Sequence, residues 1–202
     1  MAESATDVEL IARARAGDDR AFAALVGRHE RAVAATVIGM LGPGDDAEDV
    51  GQETFIRFHR ALGSFRGDSS LKTYLVHIAM NLSLNALKRR RRSVLRFVSR
   101  DQQSDDGDPL DDLPEPRIGP DGDVDAKELQ LLVRAAVRRL SEKHRAVVVL
   151  RLFHDCSTKE TAEVLGVPEG TVLSRLSRAM KELESMLRPY VHAGAALPEN
   201  LR

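Results

Sequence analysis

Apolar residues recur at three- and four-residue spacing almost throughout the chain, and the pattern fails in only one internal stretch. That periodicity constrains the fold more than any other feature, because it belongs to amphipathic helices and not to strands, which alternate with period two. Composition agrees. Aromatic residues make up 4% with no Trp, while the helix formers Ala, Leu, Arg and Glu dominate. The expected fold is all-α: two small helical domains joined by a flexible acidic linker.

Residues Asp7 to Ala16 are expected to form a short helix closed by Gly17. Asp18 or Asp19 caps a longer one running to about Met40, with Phe22, Leu25, Val26, Val33 and Val37 on its apolar side. Gly42-Pro43-Gly44 breaks the chain. Asp45 to Ala61 resumes it, with Asp45, Asp46, Glu48 and Asp49 in the first turn, where the helix dipole favours anions. After a loop from Gly63 to Ser69, a long helix runs from about Ser70 into Lys88-Arg89-Arg90-Arg91-Arg92.

Residues 99–125 are rich in Asp, Pro, Gly and Ser and cannot bury enough apolar surface to offset chain entropy. Order is expected to return at Asp125 to Leu140, where Leu129, Leu132, Val133, Ala136, Val137 and Leu140 make one stripe. Ser141 caps a helix reaching Phe153, and two more follow at about Thr158–Leu165 and Glu169–Leu187. The end, with Pro189, Gly194 and Pro198, is expected to fray. The expected division is a first domain at 1–98, a linker at 99–124, a second domain at 125–190 and a disordered tail at 191–202.

The net charge of −1 conceals a strong pattern: −4 over residues 1–70, +8 over 71–100, −9 over 101–128 and +4 over 129–202. Charge separated this way suggests a nucleic-acid face with an acidic tether. The single Cys156 excludes an intramolecular disulfide and fits a reducing compartment. MAESATDVEL has neither a basic nor an apolar leader segment, and no apolar run approaches the roughly 20 residues that span a bilayer. These features lead us to expect a cytoplasmic protein without membrane insertion.

Nothing points to catalysis. There is no Gly-rich phosphate loop, Ser/His/Asp signature or HExxH motif. Six His are scattered, and His154 with Cys156 is the only near pair, which does not make a zinc site. His77 reads as a surface residue and Asp68 as a cap or loop acceptor. We expect no catalytic residue, no cofactor and no metal.

Two constellations carry function. In TKETAEVLGVPEGTVLSRLS, from Thr158 to Ser177, Ala162 lies four positions before Gly166 and both suit a close helix crossing. Gly166 also suits a tight turn, Pro168 begins the next helix, and Val167, Val172 and Leu176 face the first. This spacing matches a helix-turn-helix, whose second helix enters the DNA major groove. Leu173, Ser174, Ser177 and Arg178 would face base edges, with Thr171 beside them, and Arg175 and Lys181 would reach phosphates. The second constellation joins the loop Phe65-Arg66-Gly67-Asp68-Ser69 to a helix bearing Lys72, Tyr74 and Asn81 and ending in Lys88, Arg89, Arg90 and two further Arg. Cations that track a backbone, beside a polar-aromatic pocket for an unstacked base, suit single-stranded DNA.

With these residues in hand, the chain resembles a bacterial RNA polymerase sigma factor of the extracytoplasmic-function class. The resemblance covers roughly residues 8–95 and 125–188. It rests on DAEDVGQETF from Asp46, on FRGDSSLKTYLVHIAMNLSLNALKRRRR from Phe65, and on LSEKHRAVVVLRLF followed by LGVPEGTVLSRLSRAMKEL. It implies core RNA polymerase as partner, through its largest-subunit coiled coil and flap, with Asp46, Asp49, Gln52, Glu53 and Phe55 on the docking helix. It implies that the Phe65–Ser69 loop and Asn81 handle a flipped-out base of the single-stranded −10 element, and that the second domain reads the double-stranded −35 element. It also implies an anti-sigma protein, often membrane-embedded.

The sequence departs from the family pattern at four positions. Gly51 replaces a larger apolar residue, at a helix-propensity cost of up to about 1 kcal/mol. Leu173 stands where Lys or Arg is common, which suits a thymine methyl. Cys156 and Thr161 replace larger aliphatics, so the first reader helix is expected to pack less tightly. A conventional repressor with a helix-turn-helix is the rival reading. The Asp45–Phe55 and Phe65–Asn81 blocks argue against it, because such a protein has no need of a single-strand reader.

Overall fold

A computed structural model of the chain describes residues 5–98 and 126–191. Among them all regular structure is helical: α1 (Asp7–Arg15), α2 (Asp19–Leu41), α3 (Asp45–Ala61), a 3-10 turn (Leu62–Ser64), α4 (Leu71–Val98), α5 (Ala126–Arg139), α6 (Glu142–Val148), a π turn (Val149–Phe153), α7 (Thr158–Leu165) and α8 (Glu169–Val191). The chain divides into two compact units within α4, after Asn85. The acidic linker and the tail beyond 191 lie outside the described residues. No described helix is long and apolar enough to cross a membrane.

In the first unit the caps explain where helices start. Thr6 and Glu9 form a capping box on α1: the Thr6 Oγ1 accepts from the Glu9 N–H at 3.3 Å, and Glu9 Oε2 accepts from the Thr6 N–H at 2.7 Å. Asp18, not Asp19, caps α2, accepting from the N–H groups of Arg20 and Ala21 at 3.0 and 3.2 Å. Its carboxyl is held below the usual range, chiefly by Arg13, whose guanidinium lies 2.7 Å away. α3 has no side-chain cap; Asp45, Asp46 and Glu48 in its first turn serve the exposed N–H groups electrostatically.

α1 is fastened to α2 at its start, where Asp7 meets Arg28 at 2.6 Å and His29 at 2.9 Å. Leu25, Val33 and Val37 are buried as expected, while Phe22 and Val26 sit at the margin of the stripe. α3 turns Ala47, Val50, Thr54 and Phe58 inward. Phe58 is completely buried, worth about 1.5–3 kcal/mol for a side chain of its size. It stands at the centre of an aromatic cluster with Phe22, Phe65 and Tyr74.

In the second unit α6 is the hub. Every residue from Arg145 to Leu150 is buried. The Arg145 guanidinium donates to the carbonyls of Arg138 and Leu140, groups at the end of α5 that lack helical partners. His144 Nδ1 lies 2.8 Å from Glu182 on α8. On α5, Leu132, Ala136, Val137 and Leu140 are buried.

Two expectations need correction. Ser141 caps α6, but the helix loosens into a π turn from Val149 to Phe153 and does not stay α-helical to its end. α8 does not fray at Pro189 but continues through it to Val191. Proline there removes one hydrogen bond, and the last turn has little helix left to disrupt.

Candidate nucleic-acid interface

On α3, Asp49, Gln52, Glu53 and Ile56 follow at helical spacing and form one outward row opposite the buried row of Val50, Thr54 and Phe58. Ile56 is 44% exposed, an apolar side chain among polar ones. The Arg57 guanidinium bonds Glu53 at 2.8 Å and holds its carboxyl below the usual range. Phe55 lies on the flank of α3, half-buried, and with Phe22, Ile56, His59 and Arg60 lines a shallow depression. Asp46 is half-buried.

Beyond α3 the 3-10 turn delivers Phe65. Its ring sits 4.9 Å from Tyr74 and 6.2 Å from Phe58, so it is packed, not free. Arg66, Gly67, Asp68 and Ser69 are all exposed. Gly67 has φ +77, which a side chain would strain. Asp68 forms an exposed ion pair with Arg66 at 3.3 Å, and Ser70 is the residue that caps α4, its Oγ accepting from the Thr73 N–H at 3.1 Å.

Along α4, Tyr74, Asn81 and Lys88 recur every seventh residue and fall in one line, which Arg92 extends. Asn81, Lys88 and Arg92 are exposed and Tyr74 half-buried. Lys72 is exposed but falls on nearly the opposite side of the helix, and the exposed Arg89 and half-buried Arg90 turn away from the line in succession. The arrangement is an aromatic platform, an amide and then cations along one face.

In the second unit, Ser157 and Glu160 form a capping box that starts α7. Its bonds hold the Glu160 carboxyl below the usual range, the Ser157 hydroxyl contributing most. Gly166 ends α7 in the left-handed region with φ +62, and the Val167 N–H closes back on the Ala162 carbonyl at 3.1 Å. The Pro168 carbonyl then accepts from the N–H groups of Thr171 and Val172, starting α8. Val147, Ala162 and Val172 form the buried junction, with Leu165, Val167 and Leu176 packed on it.

This junction turns Leu173, Ser174, Ser177, Arg178 and Lys181 outward on one exposed face of α8. Leu173 is 55% exposed. The Ser174 hydroxyl donates to the Thr171 carbonyl at 3.0 Å, leaving its oxygen as an acceptor. Thr171 and Arg175 are half-buried on the flank.

Residues 25–93 match the Sigma-70 region 2 family, and residues 130–183 match Sigma-70, region 4. An RNA polymerase sigma-H factor of Pseudomonas aeruginosa is 34% identical over 188 residues, covering 92% of this chain and 95% of its own. An ECF RNA polymerase sigma-E factor of Escherichia coli (strain K12) is 34% identical over 197 residues, covering 95% and 99%. The chain belongs to the ECF RNA polymerase sigma factors. Among solved structures, the sigma factor RpoE of Bartonella quintana, crystallised with the anti-sigma factor NepR, is similar with TM-score 0.62 and 25% identity, over 83% of this chain and 96% of that one. CnrH, solved in complex with the cytosolic domain of CnrY, is similar with TM-score 0.58 and 27% identity, over 89% and 95%.

This sigma factor directs promoter-specific initiation by RNA polymerase, and the exposed faces of α3, α4 and α8 lie within its two matched regions. Several residues sit differently from the sequence expectation. Phe55 does not share the outward row of α3; Ile56 does, and its i+7 spacing from Asp49 could have revealed it. Lys72 does not join the Tyr74–Asn81 line. Gly166 serves no close helix crossing, since a Cβ there would meet nothing within 4 Å; its φ alone calls for glycine. Thr161 is completely buried and Cys156 nearly so, and the Thr161 hydroxyl bonds back to the Ser157 carbonyl at 2.8 Å. Among the described residues no group of three or more His, Cys, Asp or Glu could hold a metal ion.

Proposed function

We propose that this sigma factor docks on core RNA polymerase through the outward row of α3, with Asp49, Gln52 and Glu53 around Ile56 and with Asp46 and Phe55 at the edges. The loop Phe65–Ser69 and the α4 line Tyr74–Asn81–Lys88 receive the opened −10 strand: the aromatic pair supports an unstacked base, the amide reads it, and the cations follow the backbone. The face Leu173–Ser174–Ser177–Arg178 enters the major groove at the −35 element, with Thr171, Arg175 and Lys181 beside it. The protein is a non-catalytic regulator that works in the cytoplasm. An anti-sigma protein holds it inactive, as NepR binds the Bartonella quintana relative.

The observation that supports this reading best is the exposure of two polar-cationic helix faces, one along α4 and one along α8, each within its matched region. A repressor would need only the second. The test is run-off transcription with core polymerase on a library of promoter fragments, alongside DNA binding with and without core. Core-dependent transcripts sharing −10 and −35 motifs are expected. Tight sequence-specific binding by the chain alone, with no transcripts, would make it a repressor.

A further inference from the structure

We infer that Arg15, on α1, is a positioning residue for the loop that receives the opened −10 strand, an inference that rests on the proposed role of that loop. α1 lies wholly before residue 25, where the region 2 match begins. Leu10 and Ile11 account for its packing, since both are buried. Arg15 is exposed and does something else: its Nε donates to the Leu62 carbonyl at 2.9 Å, and its Nη2 donates to the Phe65 carbonyl.

Those two carbonyls bracket the 3-10 turn at the end of α3, where helical carbonyls lack partners and the dipole is negative. A planar guanidinium that spans both fixes their separation as well as their orientation, which a single ammonium cannot do. Phe65 is thereby held at three points. Its N–H bonds the Ala61 carbonyl at 3.0 Å, its carbonyl takes Arg15, and its ring rests on Tyr74 and Phe58. Arg66 to Ser69 are exposed beyond it, so Phe65 is the point from which the loop departs. α1 can act as a strut because it is itself tied down, by Asp7 to Arg28 and His29 and by Arg13 to Asp18.

The experiment uses full-length protein with core polymerase and a promoter chosen from the run-off library. Two probes are needed: the labelled non-template strand of its −10 region, and the duplex promoter. Arg15→Gln should weaken capture of the single strand about five- to tenfold, the scale of charge-assisted hydrogen bonds partly open to water. Affinity for core polymerase should not change, and the unfolding midpoint should fall by no more than the loss of these two hydrogen bonds accounts for. Arg15→Lys should restore only part of the loss. Phe65→Ala should also weaken capture, and the double variant should be no worse than Phe65→Ala alone, because Arg15 acts through that residue.

Additive losses in the double variant, or an equal fall in core affinity, would overturn the positioning role. So would a wild-type Arg15→Gln beside an impaired Phe65→Ala, an outcome that leaves the loop reading intact. Wild-type capture by Phe65→Ala as well would remove the loop reading and this inference together.

Discussion

Gly51 and Gly166 allow one substitution to be tested with opposite signs. Gly51 lies inside α3, half-buried, with an ordinary helical φ, and a Cβ built on it would meet nothing within 4 Å. Alanine there brings no clash and no new burial, so the whole effect is backbone entropy in the unfolded chain and helix propensity, a gain of about 0.5–1 kcal/mol. Gly166 also has open space around its Cβ position, but its φ is +62. Alanine at 166 therefore costs about 1–2 kcal/mol, the penalty of the left-handed region for a residue with a Cβ. In a unit of this size each kcal/mol moves the melting temperature by roughly 4–8 °C. Scanning calorimetry of the full chain should show Gly51→Ala melting about 2–8 °C higher and Gly166→Ala lower by at least 4 °C or so. A lower midpoint for Gly51→Ala would mean that a neighbour crowds α3. An unchanged Gly166→Ala would mean that residue 166 is not left-handed, and the turn of the reader would have to be redrawn. Core affinity of Gly51→Ala should stay level, since Gly51 is not on the row of Asp49 and Ile56.

Three further outcomes follow from the same geometry. The Glu160 carboxyl is held below its ordinary value by Ser157, so the stability it contributes is present above about pH 4.5 and is lost as pH falls through its lowered folded value. Glu160→Gln should flatten that part of the acid melting curve, and an unchanged slope would show that the capping box carries no pH dependence. Arg178→Ala should cost about 1–3 kcal/mol of discrimination at one base pair in −35 binding titrations. A uniform loss across promoter variants, with a shallower salt dependence, would make Arg178 a phosphate contact instead. Asn81→Ala should slow strand opening, read by permanganate reactivity, more than it weakens the closed complex; equal loss in both would remove its base contact.

The sequence was most informative where structure is local. Asp18, Ser141 and Gly166 act within four residues of themselves, so their caps and turn could be read from spacing alone. The Val167, Val172 and Leu176 junction follows from period as well. Faces were less legible than elements. The motif places Phe55 on the docking helix, and helical phase sets it on the flank of α3 with Ile56 on the outward row. Lys72 lies two residues before Tyr74 and so on another side of α4. Arg15 was out of reach, because it meets Leu62 and Phe65 across 47 and 50 residues and bonds only to main chain, which leaves no mark on the partners' identities. The π turn at Val149–Phe153 is equally silent, since its four apolar residues and one Arg suit an α-helix as well.

That π turn lies between the hub helix α6 and the segment leading into α7 and α8. Each residue of an α-helix turns the chain by about 100°, and a π turn takes up one residue more than the α-helical register. Deleting Leu152 would therefore do little to shorten the molecule. It would convert the bulge to ordinary helix, and because the π turn already absorbs that one extra residue, α7 and α8 would keep nearly the same rotational phase relative to α6.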